Sequence, residues 1–575
     1  MNKVSLTING MAVTAFQGAT ILEATRSVGV YIPTLCYHPD LVPEGACRLC
    51  VVEASGAKGL VASCVYPVTE GMVVKTNTAR VREARRVNIE LLLANHPKSC
   101  LTCRKSGDCE LQTMAANMGV RTHRFDWGKR KAHTFDASNP CLVRDQEKCI
   151  LCGRCIRVCR DVQEMNVYSF ANRGFDSIVS TAFEQDLSNV ACTYCGQCAS
   201  LCPTGAIVEK DDTERVWDAI ADPDKIVIAQ VAPSVRVALG EELGMEPGDI
   251  VTGKMVAALK NIGFDKVLDT NFAADLTIIE EGHEFLHRLT HDGVLPMITS
   301  CSPGWVNLCE LKYPDQLDHL STAKSPQGMF GAVIKTYYAE KAGIDPAKIV
   351  SVSVMPCTAK KAECVRPQLC DSGYQDVDIV ITTRELGRML REAGVDFHMI
   401  CPDEFDSPLG YGTGAGAIFG TSGGVMEAAL RTVADVVTGQ DLWDIDYKEV
   451  RGLNKTKEAT LHIADKEVRI AVCNSLGAAQ KMMNMVRAGT SNYHFIEIMA
   501  CPGGCIGGGG QPVPTSMAIK QKRSEALYKI DEDSTLRKSH ENPDIKAVYA
   551  EWLVEPLGEK AHHYLHTTYR KQERQ

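Results

Sequence analysis

Cysteines two or three residues apart recur in four clusters before residue 203, and a last pair, Cys501 and Cys505, stands in the loop CPGGCIGGGGQP. In a long, charged chain such spacing marks metal ligands far more often than disulfides. Soft thiolate donors in repeated short runs select iron–sulfur clusters over zinc.

The first group, Cys36, Cys47, Cys50 and Cys64, has the spacing C-x10-C-x2-C-x13-C, comparable to the loop that holds a 2Fe-2S cluster in a plant-type ferredoxin. Its long irregular loop argues against a compact zinc ribbon. The second, H-x3-C-x2-C-x5-C, joins His96 to Cys100, Cys103 and Cys109. A His/Cys3 set suits a 4Fe-4S cluster whose neutral imidazole shifts its potential, and locally it also suits zinc. The third and fourth form the two-cluster ferredoxin repeat, in which the fourth cysteine of each run ligates the other cluster. Cys149, Cys152, Cys155 and Cys202 are thus assigned to one 4Fe-4S cluster, and Cys159, Cys192, Cys195 and Cys198 to another. Cys141, Cys309, Cys364, Cys370, Cys401 and Cys473 lack such spacing and read as buried small hydrophobes.

The elements that position these groups change along the chain. The N-terminus, MNKVSLTINGMAVTAFQGATILEA, alternates polar and apolar residues around Asn9-Gly10, a hairpin signal, and leads into a helical stretch at about 19–28. Residues 80–95 have helical spacing with an Arg-rich face. From about residue 225, apolar runs alternate with amphipathic segments, which predicts an α/β domain with substantially parallel sheet. Three of these runs end in Cys301, Cys357 and Cys501, where loops leaving strand carboxyl ends build sites. The glycines around Cys505 would let backbone approach a bulky cofactor.

Composition narrows the setting. Hydrophobic residues make up 45%, charged residues 23%, and the formal charge is -9, ordinary for a chain with several cores. No basic stripe argues for nucleic acid, and the run at 129–131 reads as a solvated loop. No apolar stretch approaches the roughly 20 residues that span a bilayer, and the N-terminus lacks a signal-peptide layout. The expected compartment is the cytoplasm.

TSCSPGW (299–305), MPCTAKKAE (355–363) and EIMACPGGCIGGGGQP (497–512) resemble the three active-site motifs of the FeFe-hydrogenases, with one substitution. The first 210 residues resemble that family's accessory cluster domains and the cluster-rich subunit of respiratory NADH dehydrogenases. The expected architecture is multidomain α+β and α/β: a plant-type 2Fe-2S ferredoxin-like domain (1–79), a His/Cys3 4Fe-4S domain (80–138), a two-4Fe-4S ferredoxin-like domain (139–211) and an α/β H-cluster domain (212–575).

The resemblance implies reversible, heterolytic H2 cleavage at an H-cluster, a 4Fe-4S cube bridged by a cysteine to a two-iron unit carrying CO, cyanide and a dithiolate. Electrons would pass through one 2Fe-2S and three accessory 4Fe-4S clusters. It makes Cys357, Cys501 and Cys505 cube ligands, with Cys505 bridging. It implies a proton route from Cys301 through Glu281, Ser321 and Glu284 to the surface near Arg288, donation by Lys360 to a cyanide, and a lining of Pro233, Ser234, Gln327, Met355 and Met499. Without it, Glu281 and Glu284 at i, i+3 read as solvated charges, Lys360 as a surface lysine and the methionines as core filler.

The departure is Ser302, where the family motif has a second cysteine that ligates the cube. Either Ser302 is an oxygen ligand and Cys301 the relay, or the loop shifts and Cys301 binds the cube. The variant resembles catalytic subunits of multisubunit, NAD(P)-linked and sometimes electron-bifurcating hydrogenases, implying flavin- and NAD(P)-binding partner subunits and/or ferredoxin. The alternatives are a monomeric ferredoxin-dependent hydrogenase and a non-catalytic iron–sulfur sensory or assembly relative.

Overall fold

A computed structural model describes residues 2–122, 124–125, 134–463 and 466–574; the basic run at 129–131 lies outside the described residues. At the N-terminus, strands Lys3–Ile8 and Met11–Phe16 pair antiparallel within a five-stranded sheet. Asn9 and Gly10 both have positive φ, 51° and 87°. A two-residue hairpin turn matched to the strand twist requires this. Helix Ile21–Arg26 opens on a capping box between Thr20 and Glu23.

Helix Ala79–Ala94 runs under this unit, burying Val81, Arg85 and Ile89, and ends two residues before His96. The short turn Cys100–Thr102 and helix Glu110–Asn117, which starts right after Cys109, complete that segment. The two ferredoxin-type runs fold alike. Helix Arg154–Arg157 begins after Gly153 and helix Gln197–Leu201 after Gly196, both glycines left-handed at φ of 70° and 69°. A side chain is disfavoured at that φ, so a glycine after the second cysteine of each run lets the chain turn and present the third.

The C-terminal half holds two four-stranded sheets. The first is wholly parallel, ordered Lys266–Asp269, Ile226–Val231, Ile349–Met355, Ile379–Thr382, with strands buried on both faces. The second is ordered Met297–Ile298, Phe495–Met499, Lys466–Asn474, Thr456–Ile463 and is parallel except for its last hairpin. The apolar runs that end in Cys301, Cys357 and Cys501 form the strands Met297–Ile298, Ile349–Met355 and Phe495–Met499. Thr456–Ile463, whose polar and apolar residues alternate, is an additional edge strand. Helix Thr270–Thr290 packs against helices Pro326–Val333, Gly414–Ile418 and Gly424–Thr438 and is buried from Thr270 through Gly282.

One expectation is corrected. Cys141, Cys309, Cys364 and Cys473 are buried, but Cys370 and Cys401 are exposed, each in a loop between regular elements. No helix among the described residues is long and apolar enough to cross a membrane.

Candidate active site

Four strand ends, two from each C-terminal sheet, open onto one cavity. Strand Ile226–Val231 delivers Pro233 and Ser234, and strand Ile349–Met355 delivers Met355 and Cys357. Strand Met297–Ile298 delivers Cys301 and Ser302, and strand Phe495–Met499 delivers Met499, Cys501 and Cys505. Lys360 and Gln327 complete the lining among the expected residues.

Burial dominates the electrostatics. It pushes the Cys505 thiol up to about 12 and the Cys301, Cys357 and Cys501 thiols above their ordinary range. These groups stay neutral until a metal takes the proton's place. Cys301 feels Glu281 next after burial. The Ser302 hydroxyl oxygen instead accepts the Ala500 N–H at 3.1 Å, beside Cys501. Lys360 Nζ donates to Ser325 Oγ at 2.6 Å and pairs with Glu363 at 2.7 Å. The Gln327 side-chain carbonyl oxygen is buried with no hydrogen-bond partner among the described residues. Four thiols, a hydroxyl, a cation and a buried amide oxygen around a largely apolar space fit a large anionic metal cluster.

The glycines of the CPGGC loop answer to neighbouring backbone more than to the cavity. A Cβ on Gly504, whose φ is +89°, would stand 2.7 Å from the Ser422 nitrogen. One on Gly509 would stand 2.5 Å from the Cys195 carbonyl oxygen.

Glu281 and Glu284 are buried, against the reading of solvated charges. Burial pushes the Glu281 carboxyl up to about 8, with the nearby Ser321 hydroxyl acting the other way, and neither oxygen closes a hydrogen bond among the described residues. Ser321 Oγ donates to Glu284 Oε2 at 3.1 Å, and Arg288 Nη2 donates to Glu284 Oε1 at 2.6 Å. Arg288 is half-buried, so this chain of contacts reaches the surface.

The residues expected as accessory ligands also gather as sets. Cys50 Sγ lies 3.4 Å from Cys64 Sγ, and the Cys47 N–H points at Cys36 Sγ at 3.5 Å. His96, Cys100, Cys103 and Cys109 line one cavity, and Cys149, Cys152, Cys155 and Cys202 line another. Burial, then Cys195, Cys192 and Cys159, raise the Cys198 thiol, so the fourth set also shares one environment. Cys195 lines the catalytic cavity as well. Gln197 donates to Gly507 O at 2.8 Å, Thr358 to Tyr194 O at 2.7 Å and Gln163 to Ala500 O at 2.9 Å, joining this set to the catalytic loops.

Comparison with known proteins agrees with this geometry. Residues 225–509 match the family "Iron only hydrogenase large subunit, C-terminal domain" and residues 517–572 match "Iron hydrogenase small subunit". The chain is 50% identical to the NADP-reducing hydrogenase subunit HndD of Solidesulfovibrio fructosivorans over 100% of both chains. The chain belongs to the FeFe-hydrogenases.

It is 40% identical to iron hydrogenase 1 of Clostridium pasteurianum, over 99% of this chain and 100% of that one. Its structure resembles that of an apo [FeFe]-hydrogenase HydA1 variant from Chlamydomonas reinhardtii, at 44% identity and a TM-score of 0.57, covering 63% of this chain and 99% of that chain. The accessory regions match a 2Fe-2S iron-sulfur cluster binding domain (1–79), the NADH-ubiquinone oxidoreductase-G iron-sulfur binding region (85–124) and a 4Fe-4S dicluster domain (148–206). This FeFe-hydrogenase therefore joins 2Fe-2S and 4Fe-4S domains to an H-cluster domain, and it is an enzyme interconverting H2 with protons and electrons.

Sequence reasoning missed several residues. Ser325 and Glu363 hold Lys360, and Gln511 donates to the Ser234 carbonyl at 3.2 Å and the Cys505 carbonyl at 3.4 Å. Glu363 and Gln511 lie inside the quoted motifs, and Glu363 stands three residues after Lys360. That spacing was the available signal.

Proposed function

We propose that this hydrogenase works with Cys301 as its proton relay, beside a cube held by Cys357, Cys501, Cys505 and Ser302, as the catalytic subunit of a multisubunit NADP-linked enzyme. The observation that carries the reading is the division of labour in TSCSPGW. Cys301 lies in the field of Glu281, whereas the Ser302 hydroxyl is turned to Ala500 and the Cys501 loop. A slipped loop would exchange those surroundings.

When bound, the H-cluster supplies the heterolytic cleavage of H2 and holds the two electrons it yields. The side chains handle the proton and the surroundings. A Glu281 carboxyl that keeps its proton up to about 8 can both take one from the Cys301 thiol and pass one on near neutral pH. Glu284, fixed by Ser321 and Arg288, receives it and faces solvent through the half-buried Arg288. Lys360 offers a compact cation to an anionic ligand, with Ser325 and Glu363 aiming its ammonium. Pro233, Ser234, Met355 and Met499 wall the cavity against water, and Gln327 turns an amide toward it.

In the accessory region we assign Cys36, Cys47, Cys50 and Cys64 to the 2Fe-2S cluster. His96, Cys100, Cys103 and Cys109 hold one 4Fe-4S cluster, and the two ferredoxin-type sets hold the others. Full-length similarity to an NADP-reducing hydrogenase subunit and the NADH-dehydrogenase-like region at 85–124 support flavin- and NADP-binding partner subunits. Electrons would then leave through the 2Fe-2S or His96 site. We place the enzyme in the cytoplasm, where reducing conditions keep its thiolates available for iron.

Ser302→Cys and Cys301→Ala variants of the matured enzyme test the active-site assignment. Expected are a changed cube signature in Mössbauer spectra of S302C and, in C301A, an intact cube with turnover lost. A lost cube in C301A would put Cys301 among the ligands instead. A native mass matching the chain alone, with direct electron exchange to ferredoxin, would refute the multisubunit assignment.

A further inference from the structure

The run CGRCIRVC carries two arginines that the chemistry above leaves without a role. Both lie on the single turn Arg154–Arg157, and both reach out of it. Arg157 is fully buried. Its Nη2 donates to the carbonyl oxygens of Cys36 at 2.5 Å and Cys152 at 3.3 Å, and its Nη1 to Val42 O at 2.6 Å. Its Nε donates to Gly153 O at 3.3 Å, and the one carboxylate in ion-pair range among the described residues is Glu44 at 3.5 Å. One guanidinium thus bridges a ligand residue of the 2Fe-2S set and a ligand residue of a 4Fe-4S set. Arg154 makes the neighbouring joint. It donates to Tyr37 O at 2.9 Å and pairs bidentately with Glu110, which follows Cys109, at 2.6 and 2.9 Å.

A guanidinium sealed from water keeps its charge, and its planar fork can satisfy several carbonyls at once, which an ammonium cannot do. Fixed positive charge in a poorly screened interior favours the more negative, reduced state of a thiolate-held cluster. We propose that Arg157 is a positioning residue shared by two electron-carrying sites: it ties the Cys36 and Cys152 ligand loops together and raises the reduction potentials of both clusters. This rests on the cluster assignments made above. Glu44, whose carboxylate faces both Arg157 and Gly153, acts with the opposite sign.

Redox titration of the full-length, iron-loaded enzyme followed by electron paramagnetic resonance tests this. The 2Fe-2S signal is separated from the faster-relaxing 4Fe-4S signals by temperature. In Arg157→Gln both midpoint potentials should move to more negative values. Arg157→Lys should retain most of the potential, because the charge stays while the fork is lost. Glu44→Gln should move both midpoints the other way, and the His96-site signal should hold in every variant. Wild-type midpoints in R157Q, or shifts of the same sign in R157Q and E44Q, would overturn the proposal. If R157Q fails to take up iron, E44Q decides alone, and an unmoved midpoint there overturns it. Absence of the 2Fe-2S signal from the wild-type enzyme would remove the cluster assignment itself, and the proposal with it.

Discussion

Beside the catalytic cavity, Glu281 is buried with neither oxygen hydrogen-bonded among the described residues, and burial lifts its carboxyl to about 8. At the Arg154–Arg157 turn, Arg157 is equally buried, yet its fork is satisfied by four carbonyls. The first group is left able to change charge near neutral pH, and the second is fixed as a cation. The contrast matches what each region must carry. A proton relay needs a group whose two protonation states are close in energy. An electron relay gains from surroundings whose charge does not respond.

The sharpest way to break the comparison is to empty the cavity while sparing the accessory clusters. Cys505→Ala should abolish H2 turnover and the infrared bands of CO and cyanide, while the accessory iron–sulfur signals persist. Retained bands would mean that the cavity is not where the H-cluster is held. Next in size, Ser321→Ala removes the 3.1 Å hydrogen bond to Glu284. Steady-state turnover should fall about ten-fold, roughly 1.4 kcal/mol of barrier, with the infrared bands unmoved. An unchanged rate would put the route elsewhere.

Two smaller effects follow from the Glu281 carboxyl itself. Since it keeps its proton up to about 8, H2 evolution should decline as pH rises through that value. A profile flat across pH 8 would argue against it. The stability effect has the same origin. An unfolded chain releases this proton near the ordinary value of 4.5, while the folded chain holds it to about 8. Folding therefore binds a proton between those values, and stability falls as pH rises through that window. In Glu281→Gln, the thermal midpoint should fall less steeply with pH across that window than in the wild-type enzyme; parallel curves would contradict the shift.

Much of this is legible in the sequence, for reasons that differ by region. Cys149, Cys152 and Cys155 are presented by one turn and its approach, so spacing alone implies convergence. Asn9-Gly10 announces its own turn because the backbone there needs positive φ. The catalytic cavity is different, since its walls come from four strand ends between Pro233 and Cys505. There only the resemblance of motifs brought the residues together. The burial of Glu281 and Glu284 was illegible from TIIEEGHEFLHRL, because it is imposed by distant segments. Ser321 and Thr322 close over Glu284, and His566 pairs with the adjacent Glu280 at 3.0 Å. Arg157 lies between two ligand cysteines, Cys155 and Cys159. Its role depends on a loop more than a hundred residues away, which no local pattern encodes.

The central claim is that the proton leaves the cavity through a buried, protonatable Glu281. Isotope exchange between D2 and water protons reads that step without net electron flow. In matured Glu281→Gln the exchange rate should drop at least about 100-fold while the CO and cyanide bands stay at their wild-type positions. Exchange at the wild-type rate, with those bands intact, would contradict the account.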